Sequence, residues 1–391
     1  MEKERIGIIG GGQLALMIGE EIKKNSLQFE LTVLDPTKNC PAYPFADQIV
    51  GDFKDERLIR ELAKRSSIVT YEIELAGSNV LRELEKEGKP VHPSPETLGT
   101  IQDKLVQYEF LRQHKIPVPF SKELRNSEEG LVEVINSFGT PVMIKSRKDS
   151  YDGRGNFVLR NEGQVKKILE QFESKELMAQ RYVNFDKEVS VIAARSTTGE
   201  IKTYPVGENI HGKDYNILLQ TIVPARIDSS IEKKAREVAE NTLEAFKGAG
   251  VFGIEMFIED DKVLVNEIAP RVHNSGHYTI EACITSQFEN HLRAISGMEL
   301  GSTDLIRPMI MYNIIGEEGY EGLCQIFYDG QEANRTTQEV AEGIYVHIYG
   351  KSARPQRKLG HVTILGRENE TQDELEDRAS GINNLIKIKA A

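Results

Sequence analysis

The chain is 391 residues long, 39 % hydrophobic and 28 % charged, with a formal net charge of -12. That length exceeds what one core usually sustains, so two or three domains are expected; the acidic balance excludes a general nucleic-acid or anionic-membrane binder, since both need a cationic surface. Three cysteines (Cys40, Cys283 and Cys324) without a C-x-x-C leave no disulfide framework or zinc ribbon, and with no charged-then-apolar leader and no apolar run of about eighteen residues a soluble cytoplasmic protein is expected.

The chain begins with "IGIIGGGQLA", a strand and turn in which Gly10, Gly12 and Ala15 satisfy G-x-G-x-x-A, and Asp35 follows the second strand where a ribose-binding acid would stand. A helix is expected over Gln13–Lys24, a strand over Leu31–Leu34 and a short third strand at Ile49-Val50. A helix over Arg57–Arg65, a strand over Ile68–Tyr71 and a helix near Ser78–Lys86 complete an alternation that implies a parallel sheet with helices on both faces. "HPSPETL" (His92–Leu98) reads as a proline-rich break, which puts a first domain at 1–97. Gln102–His114 reads as a helix stopped by Pro117 and Pro119, and "TPVMIKSRKDSYDGRGNFVL" as strand, glycine loop and strand. "ELMAQRYVNFDKEVSVIAAR" contains a strand pair, Ile231–Lys247 a helix, "VFGIEMFIEDDKVLVNEIAP" a hairpin, and a helix follows near Thr279–Ile295. A second domain is thus placed at 98–300, with a subdomain at roughly 120–185. Beyond it short strands dominate, giving a small β-rich domain at 301–391.

The hairpin carries the sharpest chemical signal. Glu255 and Glu267 lie in strands apolar on both faces, with a turn near Glu259–Lys262. With an odd loop, or a bulge, the two carboxylates face each other, and a divalent cation with hard oxygen preference would relieve their repulsion; with an even loop Glu267 points to the other face and the argument fails. A dense polar stretch, "APRVHNSGHYT", follows at once. Its Arg271 can clamp an anion and its His273 and His277 can move protons near neutral pH. Lys145 ends a strand before a loop with Gly153 and Gly155, whose backbone N–H groups can approach phosphate, although the spacing is not that of a P-loop. "AQRYV" followed by Glu188 could hold an adenine edge by backbone and a ribose by carboxylate.

Taken in order, Lys104, Lys145 with its glycine loop, Glu188, Glu255 and Asn266-Glu267 resemble the ATP-grasp superfamily, whose members activate a carboxylate as an acyl phosphate. "GGGQL", "TYEIE", "QDK", "SYDGRGN", "VNEIAPRVHNSGHYTIEACITSQFENHLRAI" and "YGKSARPQRKLGHVTI" are similar to the 5-(carboxyamino)imidazole ribonucleotide synthase family over nearly the whole chain. The resemblance implies an α/β and α+β fold of ATP-grasp architecture, with an N-terminal Rossmann-like domain, a central ATP-grasp domain with a lid, and a small C-terminal domain. It implies ATP- and bicarbonate-dependent N-carboxylation of aminoimidazole ribonucleotide in purine biosynthesis, with Mg²⁺ (Mn²⁺ would also serve), by a homodimer.

Carried residue by residue, the resemblance has Lys104 and Lys145 contact ATP phosphates under a loop formed by Ser150, Tyr151, Asp152, Gly153, Arg154, Gly155 and Asn156. Gln180, Arg181, Tyr182 and Val183 would hold adenine, Glu188 the ribose, and His211 would lie near the nucleotide. Glu255 and Glu267 would bind the metal beside Asn266. Gln13, Glu72, Tyr151, Asp152, His273, Asn274 and Ser275 would line the ribonucleotide, with its 5′-phosphate on Lys351, Arg354, Arg357 and Lys358. Arg271 would hold bicarbonate and carboxyphosphate, and His273 or Asp152 would take the amine proton. The first glycine turn would then be a helix N-terminus facing the ribonucleotide, with no dinucleotide. The chain departs from the family at Asp149-Ser150, at Gln180 in place of Glu, at Ala15-Leu16 and at Val272. A formate-dependent glycinamide ribonucleotide transformylase, also of the ATP-grasp type, is the alternative.

Overall fold

Alternating apolar strands and amphipathic helices build the first unit: β1 (Glu4–Ile9), α1 (Gln13–Lys24), β2 (Phe29–Asp35), β3 (Ala46–Val50), α2 (Glu56–Arg65), β4 (Ile68–Tyr71) and α3 (Ser78–Lys86). The strands pair in parallel in the order β3-β2-β1-β4. Side chains alternate across a strand, so the sheet buries both faces. Ile6, Ile8, Leu31 and Val33 pack on Leu14, Met17 and Ile18 of α1. Ile9, Leu34 and Val69 pack on α2 and α3 through Ile59, Leu62, Leu81 and Leu84. This is a computed structural model, and it describes residues 3–148, 155–212, 217–319, 321–333 and 337–390.

The proline-rich "break" is a helix entry. Ser94 caps α4 (Pro95–Ile101) by accepting from Thr97 N–H, and Pro95 stands in the first turn, where its missing N–H costs nothing. Asp103 caps α5 (Lys104–Gln113). Next comes β5 (Ser121–Leu124), α6 (Glu128–Phe138), β6 (Val142–Ser146), β7 (Asn156–Leu159), α7 (Val165–Gln171) and β8 (Leu177–Arg181). Their strands form a separate antiparallel sheet, β5-β8-β6-β7, packed on its two helices by Leu131, Val134, Ile144 and Ile168.

The larger sheet starts with β9 (Lys187–Arg195), β10 (Ile201–Thr203), β11 (Gly207–His211) and β12 (Leu218–Val223), continues through α8 (Ser229–Phe246) to β13 (Gly250–Glu259) and β14 (Lys262–Ala269), and packs on α8 and on the helix Gln287–Ser296. The helix expected near Thr279–Ile295 is two: α9 (Thr279–Ala282) and α10 (Gln287–Ser296). Ile284 and Thr285 donate to the carbonyls of Asp304 and Ser302, which draws the chain out of the helix, and Ser286 restarts it by capping Glu289 N–H.

The last segment holds β15 (Met309–Ile315), β16 (Cys324–Tyr328), β17 (Gln331–Ala333), β18 (Thr337–Ala341), β19 (Ile344–Ile348), β20 (Lys358–Leu365), α11 (Gln372–Asn383) and β21 (Ile386–Ala390). It does not make its own main sheet. β15 pairs with β12 from Gln220↔Tyr312 to Val223↔Met309, so one antiparallel sheet of ten strands runs β14-β13-β9-β11-β12-β15-β20-β19-β18, with β10 on β9. Among the described residues of this segment, only β17-β16-β21 stand apart. Helix α11, unexpected among short strands, begins with a capping box between Thr371 and Glu374. Among the described residues no helix is long and apolar enough to cross a membrane.

Candidate active site

Strands β13 and β14 join through Asp260-Asp261, with Asp260 in the left-handed region at φ 53°. From Glu259↔Lys262 to Met256↔Val265 the register is uniform, and alone it would turn Glu267 to the other face. A bulge between Glu255 and Met256 takes up Asn266 as the extra residue, and Glu255 then pairs with Glu267. The facing carboxylates are therefore real, and they depend on that one irregularity. Lys145 Nζ donates to Asn266 Oδ1 at 3.0 Å, and Lys104 Nζ lies 3.5 Å from Glu267 Oε2. Burial and then Glu267 push Glu255 up to about 7, while burial and then Lys104 bring Lys145 down to about 7. Each charge is uncomfortable alone, the arrangement expected where a cation and a polyanion are to be taken up together. Among the described residues no group of three or more His, Cys, Asp or Glu could hold a metal unaided. Two carboxylates fit a hard cation whose remaining ligands are phosphate oxygens and water.

Lys104 is the first residue of α5, and a clamp sets its place against β6. Its N–H donates to Arg147 O at 2.9 Å, and the Arg147 guanidinium grips Asp103 at 2.7 and 3.1 Å. Gly155 O accepts from Ser146 N–H, and Asn156 pairs with Lys145 across the β6–β7 ladder. Ser150, Tyr151, Asp152, Gly153 and Arg154, with Asp149, lie outside the described residues.

The nucleotide side departs from expectation at two side chains. Gln180 is buried and faces α5, where its Oε1 accepts from the Tyr108 hydroxyl at 3.1 Å, so its carbonyl does not open on the cleft. Glu188 is not free either: it lies 2.6 Å from His211 Nδ1. Burial works against the His211 charge, but Glu188 and Glu255 outweigh it and the His211 pKa is raised. Arg181 forks onto Glu259 at 2.7 and 2.8 Å, and its Nη1 lies 3.4 Å from Tyr182 O. Val183 packs with Phe257 and Leu264.

At the other end of the cleft the glycine turn is already occupied. Glu72 accepts from Gly12 N–H and, at 2.8 Å, from Ala15 N–H, so an internal carboxylate sits on the α1 N-terminus where a dinucleotide would put its pyrophosphate. A Cβ at Gly12 would meet Glu72 Oε1 at 2.7 Å. Asp35 is spent in the same way, accepting from Gly11 and Thr37 N–H at 3.0 and 2.8 Å. The turn packs against Glu72, and Gly12, Gln13 and Glu72 line the same cleft as Lys351. Next to it Lys351 donates to Gln13 Oε1.

Arg271 is paired with Glu74 at 2.8 Å, a residue missed in the sequence although "TYEIE" placed it two positions from Glu72. Asn274 exchanges amide hydrogen bonds with Asn313 of β15 at 2.9 and 2.8 Å, which uses its side chain to tie the loop to the last segment. His273 Nδ1 lies 2.9 Å from Ser275 Oγ and accepts from Ser275 N–H at 3.4 Å, which assigns the ring proton to Nε2, 3.8 Å from Glu255 Oε1. Burial and then Arg271 hold the His273 pKa well below its usual range, so the ring is neutral. Arg354, Arg357 and Lys358 line the same cleft, and burial and then Arg354 lower Arg357, as expected of cations gathered for an anion. The cleft spans about 1210 Å³, beyond the ~300–1,000 Å³ of a one-ligand pocket, and takes residues from all three segments.

A small sheet closing over a larger one, with two lysines and two carboxylates between, is the ATP-grasp arrangement, and the ATP-grasp domain family matches residues 109–288. The ribonucleotide synthetase preATP-grasp domain matches residues 3–102, and the phosphoribosylaminoimidazole carboxylase C-terminal domain residues 309–375. The N5-carboxyaminoimidazole ribonucleotide synthetase of Thermotoga maritima superposes with a TM-score of 0.85 at 41 % identity, over 99 % of this chain and 100 % of that one. The Aspergillus clavatus N5-carboxyaminoimidazole synthase, solved with ADP and 5-aminoimidazole ribonucleotide, superposes with a TM-score of 0.85 at 33 % identity, over 98 % of each chain. The phosphoribosylaminoimidazole carboxylase of Candida glabrata is 40 % identical over 93 % of this chain, which spans 64 % of that protein's length. The chain belongs to the N5-carboxyaminoimidazole ribonucleotide synthase family.

Proposed function

We propose that this protein uses ATP and bicarbonate to carboxylate the exocyclic amine of 5-aminoimidazole ribonucleotide, releasing ADP and phosphate, in purine biosynthesis. The observation that carries the reading is the Glu255–Glu267 pair with Lys104 and Lys145 converging on it, at one end of a cleft whose other end gathers Arg354 and Arg357. Captured complexes of the Aspergillus clavatus relative support the choice of ribonucleotide.

Bicarbonate is a poor electrophile until one oxygen becomes a phosphate leaving group. A bicarbonate oxygen bonds to the γ-phosphorus as the bond to ADP breaks, a transfer that needs positioning and charge neutralisation more than covalent help. Lys104 and Lys145 neutralise the phosphates, and Arg271, held by Glu74, takes the carboxyl oxygens. Glu255 and Glu267 would hold Mg²⁺, or Mn²⁺ with the same oxygen preference, whose chemistry when bound is further neutralisation of phosphate charge. The amine nitrogen then bonds to the carboxyl carbon, the carbon–oxygen bond to phosphate breaks, and the departing phosphate takes the amine proton. His273 Nδ1 is occupied and Nε2 carries the proton, so His273 serves as a donor to oxygen rather than as the base. Lys351, Arg354, Arg357 and Lys358 take the 5′-phosphate. A cytoplasmic setting accords with the free, buried thiols of Cys40 and Cys283, and a homodimer would sediment at twice 44.0 kDa.

The test is ADP release with ATP and aminoimidazole ribonucleotide, with and without bicarbonate. Release that needs all three supports the reading. Release driven by formate and glycinamide ribonucleotide overturns it.

A further inference from the structure

Gln287, the first residue of α10, is fully buried, and both ends of its amide bond one residue of the active-site loop. Its Oε1 accepts from His273 N–H at 2.9 Å and its Nε2 donates to His273 O at 2.7 Å. A third contact joins Nε2 to His277 Nδ1 at 3.3 Å. His273 has extended backbone, φ -127° and ψ 151°, yet stands beyond the end of β14 and, among the described residues, is paired in no strand ladder. Gln287 does what a strand would do, pairing both backbone groups of one residue: it satisfies an N–H that would otherwise be orphaned inside the protein and shares the carbonyl with Gly276 N–H, which donates to it at 3.0 Å.

The rest of the loop is fixed from the same side. Thr279 Oγ1 donates to Gly276 O at 2.7 Å and accepts from Gln287 N–H at 2.9 Å. A Cβ at Gly276 would come within 2.7 Å of Gln287 Oε1, so the loop and the amide are in direct contact. On the opposite side His273 leans on Gly253, where a Cβ would collide with the imidazole; Gly253 is two residues from Glu255 on β13. His273 is thus wedged between the strand that carries Glu255 and the amide of Gln287.

We propose that Gln287 is a positioning residue for carboxyl transfer: by holding the backbone of His273 against β13 it aims the imidazole Nε2–H at the carboxylate end of the cleft. The inference rests on the function proposed above. It differs from a purely structural role because misplacing the donor harms the reacting carboxyl group and leaves ATP binding alone.

The experiment uses the full chain with Gln287→Met, which keeps volume and loses every side-chain hydrogen bond, and Gln287→Glu, which keeps the acceptor for His273 N–H and loses the side-chain donors. ATP KM, ribonucleotide KM, kcat, the ratio of ADP to carboxylated product, and Tm are measured for each. Expected for Gln287→Met is a lower Tm, an ATP KM within about twofold of wild type, a kcat down about tenfold or more and more than one ADP per product, with Gln287→Glu between. Met at this position with kcat, ribonucleotide KM and ADP ratio all within about twofold, whatever its Tm, overturns the proposal. Should Gln287→Met not fold, the same criteria applied to Gln287→Glu decide it. Thr70→Val, which strips the hydrogen bond to His291 away from the site, controls for lost stability: it lowers Tm without changing the ADP ratio. Wild-type protein without ribonucleotide-dependent ADP release overturns the function and this inference together; normal wild-type turnover with an indifferent Gln287 overturns this inference alone.

Discussion

At Glu267 one oxygen decides between holding a cation and repelling phosphates. Glu267→Gln keeps shape and hydrogen bonding but removes a charge opposite Glu255, so ADP release should fall ~10²-fold or more. Binding of metal-free ATP, read by calorimetry, should stay as tight or tighten, because one fewer carboxylate meets the phosphates. The residue types here were legible in the sequence; their facing was not. Whether Glu255 opposes Glu267 turns on the bulge at Asn266, a backbone choice with no compositional mark. Glu72 shows the reverse. G-x-G-x-x-A was readable at once, but its meaning depended on a carboxylate some sixty positions away along the chain that fills the turn in space. Glu72→Ala strands the N–H groups of Gly12 and Ala15 at a buried helix start and should cost ~1–3 kcal/mol in urea unfolding, with Glu72→Gln costing less. Millimolar NAD should not raise the Tm of either variant.

Elements were readable where periodicity and caps agreed, as in α1, whose bounds match the expectation at both ends. They were misread where a side chain overruled the pattern. Pro95 looked like a stop and is a first-turn residue under the Ser94 cap; Thr279–Ile295 looked continuous and is cut by pairing to residues 302–304. Helix α11 was hidden by its own modest apolar face and is held by charge. Glu370 accepts from Arg378 Nε and Nη2 at 2.6 and 2.7 Å and from Arg367 N–H at 2.8 Å, and the Arg378 hydrogen bond, against a small opposing burial, holds its pKa at about 2. The folded value lies below the ordinary 4.5, so the stabilisation is whole above that pH and is lost as pH falls toward 2. Arg378→Met should therefore lower unfolding free energy by ~1–3 kcal/mol at pH 7, and the gap to wild type should close as the medium is acidified below pH ~4.

On the scale of the molecule, one ladder joins what the sequence suggested were separate bodies. The short strands after residue 300 were visible, but their partners were not, since a strand's pattern says which face is buried and nothing of which edge it meets. With β15 hydrogen-bonded to β12 and Asn274 locked to Asn313, the ATP-grasp and C-terminal segments should melt in one calorimetric transition. Nucleotide bound in the cleft should raise that transition, by ~2.7 kcal/mol at a hundred times its Kd.

The same pairing has a cost in time. A ribosome releases β12 long before it has made β15, so the growing polypeptide displays a raw ribbon border at Leu218–Val223 until Met309–Ile315 has emerged. Trimming the gene anywhere ahead of Met309 would make that temporary stickiness permanent, and such a product belongs in inclusion bodies, not in the supernatant.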